Sequence, residues 1–333
     1  MYDSLIGLIG QLILPFLIFA LIFTLCMRYY ENRRRWLHRG QYELAGKYVL
    51  ITGASSGLGS ALAEQFYLAG AKVILAARSL DKLHQLRDSL KNICKNESAI
   101  IKLLEPEVIY LDLANAETID KTVVDIMQVA GGRLDVLVNN AGMSMRGSCA
   151  ETSMDVHRQL MQVNYFGHIQ LTQAILKFML ETAATNPASS SPCIICISSV
   201  QGRITLPFRS AYAASKHAFQ AYFDALRAEL AAQKREKGRV RVLVVSPGYI
   251  QTNLSLNALT GGGEKYGKMD ETIQGGMTAE VAARCIVDGL LDGREELVLA
   301  PMDAKLGIVI RTLMPSLYFW LMAKRAIKGR KTE

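Results

Sequence analysis

Tyr212 and Lys216 stand four residues apart in the run Ser210-Ala-Tyr212-Ala-Ala-Ser-Lys216. If this alanine-rich run opens a helix, that spacing puts both side chains on one face. An ammonium close to a phenol favours the phenolate and lowers its pKa from the usual value of about 10. A phenol tuned in this way can give a proton to a carbonyl oxygen or take one from an alcohol. Ser199 follows the apolar run Cys193-Ile-Ile-Cys-Ile197. A short buried strand there would place Ser199 at its carboxyl end, where open α/β sheets bind ligands, and its hydroxyl could hold a substrate oxygen. Taken alone the Tyr/Lys pair is weak, because the chain has 13 tyrosines and most tyrosines near helix starts are packing residues.

The elements that must position these groups follow from the hydrophobic pattern. Lys47-Tyr-Val-Leu-Ile-Thr52 reads as a buried strand and runs into Gly53-Ala-Ser55-Ser56-Gly57-Leu58-Gly59, then into an amphipathic helix reaching Ala69. A glycine turn between strand and helix lets backbone approach a pyrophosphate at a helix N-terminus. The next strand, Lys72–Ala77, ends in Ala76-Ala77-Arg78 without the acid that would hold a ribose 2′-hydroxyl. Arg78 could pair with a 2′-phosphate, which favours NADP(H) over NAD(H). A helix over 80–93, a strand over Val108–Asp112, a further helix and the strand 134–139 follow. That last strand runs into Asn139-Asn-Ala141-Gly142. The stretch from Thr152 to Leu180 has a helical pattern and contains Asn164, and Arg239–Val245 reads as another buried strand leading to Pro247-Gly248. This alternation predicts a doubly wound parallel sheet, a Rossmann fold in a single domain. The segment from Gln251 to Met277, with Leu254, Leu256 and Leu259, is expected to be a mobile loop over an apolar pocket.

With 333 residues, one α/β domain of about 250 residues leaves segments at both ends. The expected layout is a membrane anchor and basic linker over 1–43, the dinucleotide domain over 44–300 and an apolar, basic tail over 301–333. Residues 4–27 are 24 uncharged, mostly apolar residues, enough to cross about 30 Å of hydrocarbon as an N-terminal transmembrane helix. Five arginines lie between Arg28 and Arg39 and none precede the stretch, which keeps the rest of the chain in the cytosol. Asn96-Glu-Ser98 and Asn253-Leu-Ser255 would be glycan acceptors on the lumenal side. The tail carries seven basic residues against two acids behind the apolar run Leu317–Met322. It suits a membrane surface, or a helix packed on the domain with a solvated end; both readings stay open. Because the first arginines abut the apolar stretch, nucleic acid is not the expected partner. Cys193 and Cys196 would point to opposite faces of a strand and are read as core thiols; no histidine spacing suggests a metal.

Together, Thr52-Gly-x-x-x-Gly-x-Gly59, Asp112, Asn139-Asn-Ala-Gly142, Asn164, Ser199, Tyr212-x-x-x-Lys216 and Pro247-Gly-x-x-x-Thr252 resemble the short-chain dehydrogenase/reductase family, in the right order over about 44–300. The resemblance implies Tyr212 as acid/base, with Lys216 lowering its pKa and holding the nicotinamide ribose. It implies that Ser199 fixes the substrate oxygen and that Asn164 supports a water relay. It also implies Thr52, Gly53, Ser55, Ser56, Gly57, Leu58, Gly59, Asp112, Asn139, Ala141, Gly142, Pro247, Gly248 and Thr252 around the cofactor. Unlike many NADP-dependent members, the glycine loop has Ser55-Ser56 and no basic residue. The anchor, Leu206–Tyr212 and the tail are similar to a membrane-bound subgroup linked to reduction of acyl- or alkyl-dihydroxyacetone phosphate. The expectation is therefore an NADP(H)-dependent oxidoreductase interconverting a lipid-like ketone and a secondary alcohol at the endoplasmic reticulum or a peroxisome, with a homodimer one open arrangement. Steroid or retinoid turnover is the alternative chemistry, and a non-catalytic NADPH-binding membrane partner the alternative of another kind.

Overall fold

The computed structural model describes residues 43–96, 104–185, 191–233 and 239–330, together with Phe19 and Phe23. The chain divides into two units, residues 1–43 and 44–333. Apart from those two phenylalanines, the anchor expected over 4–27 lies outside the described residues. Among the described residues no helix is long and apolar enough to cross a membrane.

Seven strands form one parallel sheet: β1 (Tyr48–Thr52), β2 (Lys72–Ala77), β3 (Glu107–Tyr110), β4 (Val136–Asn139), β5 (Cys193–Ile197), β6 (Arg241–Pro247) and β7 (Glu296–Leu299). Their order is β7-β6-β5-β4-β1-β2-β3. The chain therefore reverses direction across the sheet between β1 and β4, and the crevice outside those carboxyl ends is where such sheets take ligands. Both faces are covered, so the central strands are near-continuously apolar rather than alternating. Val49, Ile51, Leu75 and Val138 pack under helices α1 (Gly57–Leu68) and α2 (Leu80–Asn96). Leu50, Ile74, Leu137 and Val244 pack on the opposite face, under α3 (Ala116–Val129) and later helices. The period-two alternation of strand side chains sorts the cysteines too. Cys193 belongs to the first layer and Cys196 to the second, both buried and free.

Three expectations change. The helical stretch from Thr152 is α4 (Met154–Met161), a π-helical turn over Gln162–Phe166, and α5 (Gly167–Thr185). The wide turn falls on Asn164 and carries it inward, a feature often found at functional positions. At the start of α5 a Cβ on Gly167 would sit 2.4 Å from Leu113 O, so only glycine lets this helix approach the turn after β3. The third strand ends at Tyr110, and Asp112 lies beyond it in a turn in which Ala114 N donates to its Oδ1 at 3.0 Å. A local side-chain bond of this kind competes with strand continuation. Finally, the segment 251–277 is tied down at several points. Leu259–Thr260 pairs with Met145–Arg146, and Met277–Thr278 pairs with Ile250–Gln251. Leu254 is exposed instead of lining a pocket.

After α6 (Ser210–Ala232) and α7 (Ala279–Leu291), the tail forms two helices, α8 (Met302–Leu313) and α9 (Pro315–Arg330). Tyr318 of α9 is 1% exposed; its hydroxyl donates to Thr205 O at 2.5 Å and accepts from Thr205 N at 3.0 Å. The tail is thus pinned to the loop that follows β5 and belongs to the second unit.

Candidate active site

The glycine loop is built by close backbone approach. Gly53 and Gly57 have φ of 67° and 58°, left-handed values that favour glycine. A Cβ on Gly59 would lie 2.2 Å from Gly53 O, and one on Gly57 would lie 3.0 Å from the Thr252 side chain. The loop is thus folded on itself, with Gly57 next to Thr252. Leu58 is buried, Ser55 is half-buried and Ser56 is exposed as the N-cap of α1. The Ser56 side chain makes no capping bond and the first turn of α1 carries no acid. The helix thus presents N–H groups and a positive dipole end without a built-in anion, which fits a pyrophosphate.

Buried hydroxyl and amide groups fix the ends of β1 and β4 together. Thr52 Oγ1 donates to Val138 O at 3.1 Å and accepts from Asn140 N at 2.9 Å and Ala141 N at 3.0 Å. Asn139 Nδ2 donates to Thr172 Oγ1, and its Oδ1 meets His168 Nδ1 at 3.0 Å. His168 also reaches Ala141 O at 2.7 Å, and burial drives its pKa down to about 3. Arg78 is exposed at the end of β2, and Pro247 and Gly248 end β6 with Gly248 N donating to Leu299 O at 2.9 Å.

Ser199, Tyr212, Lys216 and Asn164 converge at the carboxyl end of β5, all buried. Tyr212 and Lys216 lie one turn apart on α6, as their spacing predicts. Ser199 Oγ accepts from Gln201 N at 3.1 Å, donates to Pro247 O at 3.5 Å and stands beside the Tyr212 phenol. Asn164 holds the turn after β4: Met143 N donates to its Oδ1 and its Nδ2 donates to Met143 O, both at 2.9 Å. The same Nδ2 donates to Ser215 Oγ at 3.0 Å, and Ser215 in turn donates to Tyr212 O. Asn164 therefore braces the helix that carries the tyrosine.

The electrostatics bring further neighbours to the phenol. Burial pushes the Tyr212 phenol up; Ser199 and then the charges of Arg209 and Arg146 pull against it. Lys216 Nζ donates to Ile197 O at 2.9 Å and lies over the Phe219 ring. Burial lowers the Lys216 pKa to about 8. Below that value the folded chain bears a buried ammonium, and between about 8 and the unfolded lysine's pKa of about 10.4 the unfolded chain binds the extra proton. Raising pH through this window therefore favours the folded state. In thermal melts from pH 7.5 to 10, wild-type Tm should rise relative to Lys216→Met; a constant difference would show that Lys216 is not desolvated.

Sequence reasoning missed Arg146, Arg209 and Asp270. Arg209 Nη2 donates to Asp270 Oδ2 at 2.5 Å, and Arg146 Nη2 lies 3.6 Å from the same oxygen. Arg146 and Asp270 belong to no motif, and Arg209, although inside the run Leu206–Tyr212, has no spacing that links it to them, so no spacing signal could have brought the three together. Among the described residues no cluster of side chains could hold a metal ion.

A parallel sheet with a glycine turn after its first strand and a buried serine, tyrosine and lysine at its fifth defines a dinucleotide-dependent oxidoreductase architecture. The family model for short chain dehydrogenases matches residues 47–260. The chain is 43% identical over 325 residues to a dehydrogenase/reductase SDR family protein 7-like of Anopheles gambiae, covering 98% of this chain and 95% of the relative. Identity to the dehydrogenase/reductase SDR family member 7B of Mus musculus is 41% over 295 residues, covering 89% and 86%. A solved short-chain dehydrogenase of Shigella flexneri complexed with NADP is 26% identical, with a TM-score of 0.63 over 78% of this chain and 99% of that one. The chain belongs to the short-chain dehydrogenase/reductase family and is an oxidoreductase.

Proposed function

We propose that the protein is a membrane-associated, NADP(H)-dependent reductase of a lipid-like ketone, acyl- or alkyl-dihydroxyacetone phosphate being the substrate class. The observation that carries the reaction type is the buried Ser199–Tyr212 pair beside Lys216 and Asn164 at the end of β5. Ser199 and Tyr212 hold the substrate oxygen between two hydroxyls, and Tyr212 gives its proton to that oxygen as the carbonyl is reduced. When bound, the nicotinamide supplies the hydride. Residues 53–59 and the N-terminus of α1 would hold the pyrophosphate, Lys216 the nicotinamide ribose, Asn139, Ala141 and Gly142 the adjoining wall, and Thr252 the far side. Asn164 keeps Tyr212 in register through Ser215.

Arg78 at the end of β2, with Ala77 in place of an acid, supports NADP(H) over NAD(H), as does the NADP held by the Shigella flexneri relative. Ala77→Asp would put a carboxylate where Arg78 would hold the 2′-phosphate and should move preference toward NADH by about tenfold or more. Unchanged preference, read by cofactor titration, would remove Arg78 and Ala77 from the cofactor site.

The uncharged stretch over 4–27 and the five arginines behind it support an anchored protein at the endoplasmic reticulum with its catalytic unit in the cytosol. The tail supports a second membrane contact. Met302, Leu306, Val309 and Leu313 of α8 are exposed at helical spacing. On α9, Trp320 and Ile327 are exposed, with Lys324 3.7 Å from the Trp320 ring. Apolar rings and stems beside cations suit a lipid interface. One experiment tests both parts of the proposal: sealed microsomes containing the protein receive NADPH and lipid fractions, and carbonyl loss is read by mass spectrometry. Loss of a lipid ketone without detergent is expected. Activity only after detergent would overturn the cytosolic placement, and no ketone loss in either state would overturn the reductase reading.

A further inference from the structure

Three segments that are distant in sequence bring charge together next to Tyr212. Arg146 follows Met145, which packs with Tyr212 in one buried apolar cluster. Arg209 is the N-cap of α6, three residues before Tyr212. Asp270 belongs to the segment between β6 and α7. The side chains of Arg146, Arg209 and Asp270 are 10%, 12% and 19% exposed. Two guanidiniums thus share one carboxylate in a desolvated place, with one positive charge in excess among the described side chains of this cluster. Burying like charges together is costly unless a further anion or function compensates. Burial, and next the charge of Arg209, pulls the Arg146 pKa down to about 10 against Asp270, and both arginines act on the Tyr212 phenol.

The backbone is committed to this arrangement. Phe208 has φ of 63°, a left-handed value unfavourable for a bulky residue. Its carbonyl accepts from Gly147 N at 3.1 Å, which ties the segment bearing Arg146 to the one bearing Arg209. Arg146 is further oriented by Ser144 Oγ at 2.9 Å and Ser255 Oγ at 3.2 Å. Arg209 lies over the Tyr249 ring, and the Tyr249 hydroxyl accepts from Arg325 of α9. Polar residues that lock a rigid planar fork in one pose are what recognition of a phosphate or carboxylate needs.

We propose that Arg146 and Arg209 form a specificity clamp for an anionic group, a phosphate monoester or a carboxylate, borne by the carbonyl substrate close to its reacting carbon. This rests on the reductase reading above and narrows it: an uncharged steroid or retinoid would leave the excess charge uncompensated, whereas a lipid ketone with an anionic head would match it. Asp270 holds the two forks apart and in place until the substrate anion engages them.

Binding rather than turnover tests the clamp, so that its failure is separate from failure of the Tyr212 chemistry. The NADPH-loaded full-length protein in detergent is titrated with dodecyl phosphate, laurate and dodecanol by calorimetry, all below their micelle concentrations. Inorganic phosphate serves as a headgroup-free control. Dodecyl phosphate or laurate should bind at least tenfold tighter than dodecanol, and inorganic phosphate alone should bind weakly. Arg146→Gln and Arg209→Gln should each erase most of that preference while NADPH affinity is unchanged. Asp270→Asn, which removes the competing carboxylate, should keep or increase it. Equal affinity of wild type for charged and uncharged amphiphiles overturns the clamp even if the arginine variants fail to fold. A preference that survives both arginine substitutions overturns it as well, as does inorganic phosphate binding as tightly as dodecyl phosphate.

Discussion

Replacing Tyr212 by Phe should lower turnover by about 10²-fold or more while leaving the fold and dinucleotide binding in place. That is the scale expected when a positioned acid/base is removed and the binding groups are kept. The ring itself is 7% exposed and packs with Met145, Val156, Leu160 and Ala211, contacts that Phe preserves. Only the hydroxyl beside Ser199 is lost. The measurement is kcat and KM for any ketone found with the wild type, alongside NADPH affinity and Tm of the variant. Near-wild-type kcat with Tyr212 gone would take the proton transfer away from this residue. A large fall in Tm would instead mark the tyrosine as structural.

A second large effect is expected at Gly59→Ala. The new Cβ would lie 2.2 Å from Gly53 O and 2.6 Å from Asn140 Nδ2. The first is backbone, and the second is an amide bonded to Thr52 O at 2.8 Å, so neither yields cheaply. Relief would come by opening the glycine loop, at a cost of about 1–3 kcal/mol of the overpacking kind. Because the loop is the proposed pyrophosphate cradle, NADPH affinity should fall by tenfold or more, with a matching loss of NADPH-induced thermal stabilisation. Gly275→Ala is the control: a Cβ there meets nothing within 4 Å, and both properties should hold. If Gly59→Ala kept wild-type affinity, the cofactor would not lie on this loop.

Both predictions start from motifs visible in the sequence, and the reason is local. The order strand, glycine turn, helix is encoded in contiguous residues, so the loop over 53–59 and the Tyr212–Lys216 spacing survive without knowledge of the rest of the chain. The seven apolar strands announce themselves because a parallel sheet buried on both faces needs uninterrupted Val, Ile and Leu. Period-two alternation sent Cys193 and Cys196 to opposite layers before any packing was known.

What tertiary structure decided were the properties that depend on non-local neighbours. The ionisation of Tyr212 is one. Sequence supplies a lysine one turn away, but packing directs Lys216 to Ile197 O and puts Arg209 and Arg146 in a position to act on the phenol. The π turn at Asn164 is another: the helical pattern runs straight through it, and the insertion serves a contact with Met143 and Ser215 that lie elsewhere in the chain. The tail shows both sides. Its apolar and basic composition is legible, yet only the fold buries Tyr318 against Thr205 and leaves Trp320 outside. Arg146, Arg209 and Asp270 carry no periodicity and no spacing; they meet because three crossover loops end over the same strand ends. Coulombic and desolvation energies depend on distance and burial, which the order of residues along a chain does not contain.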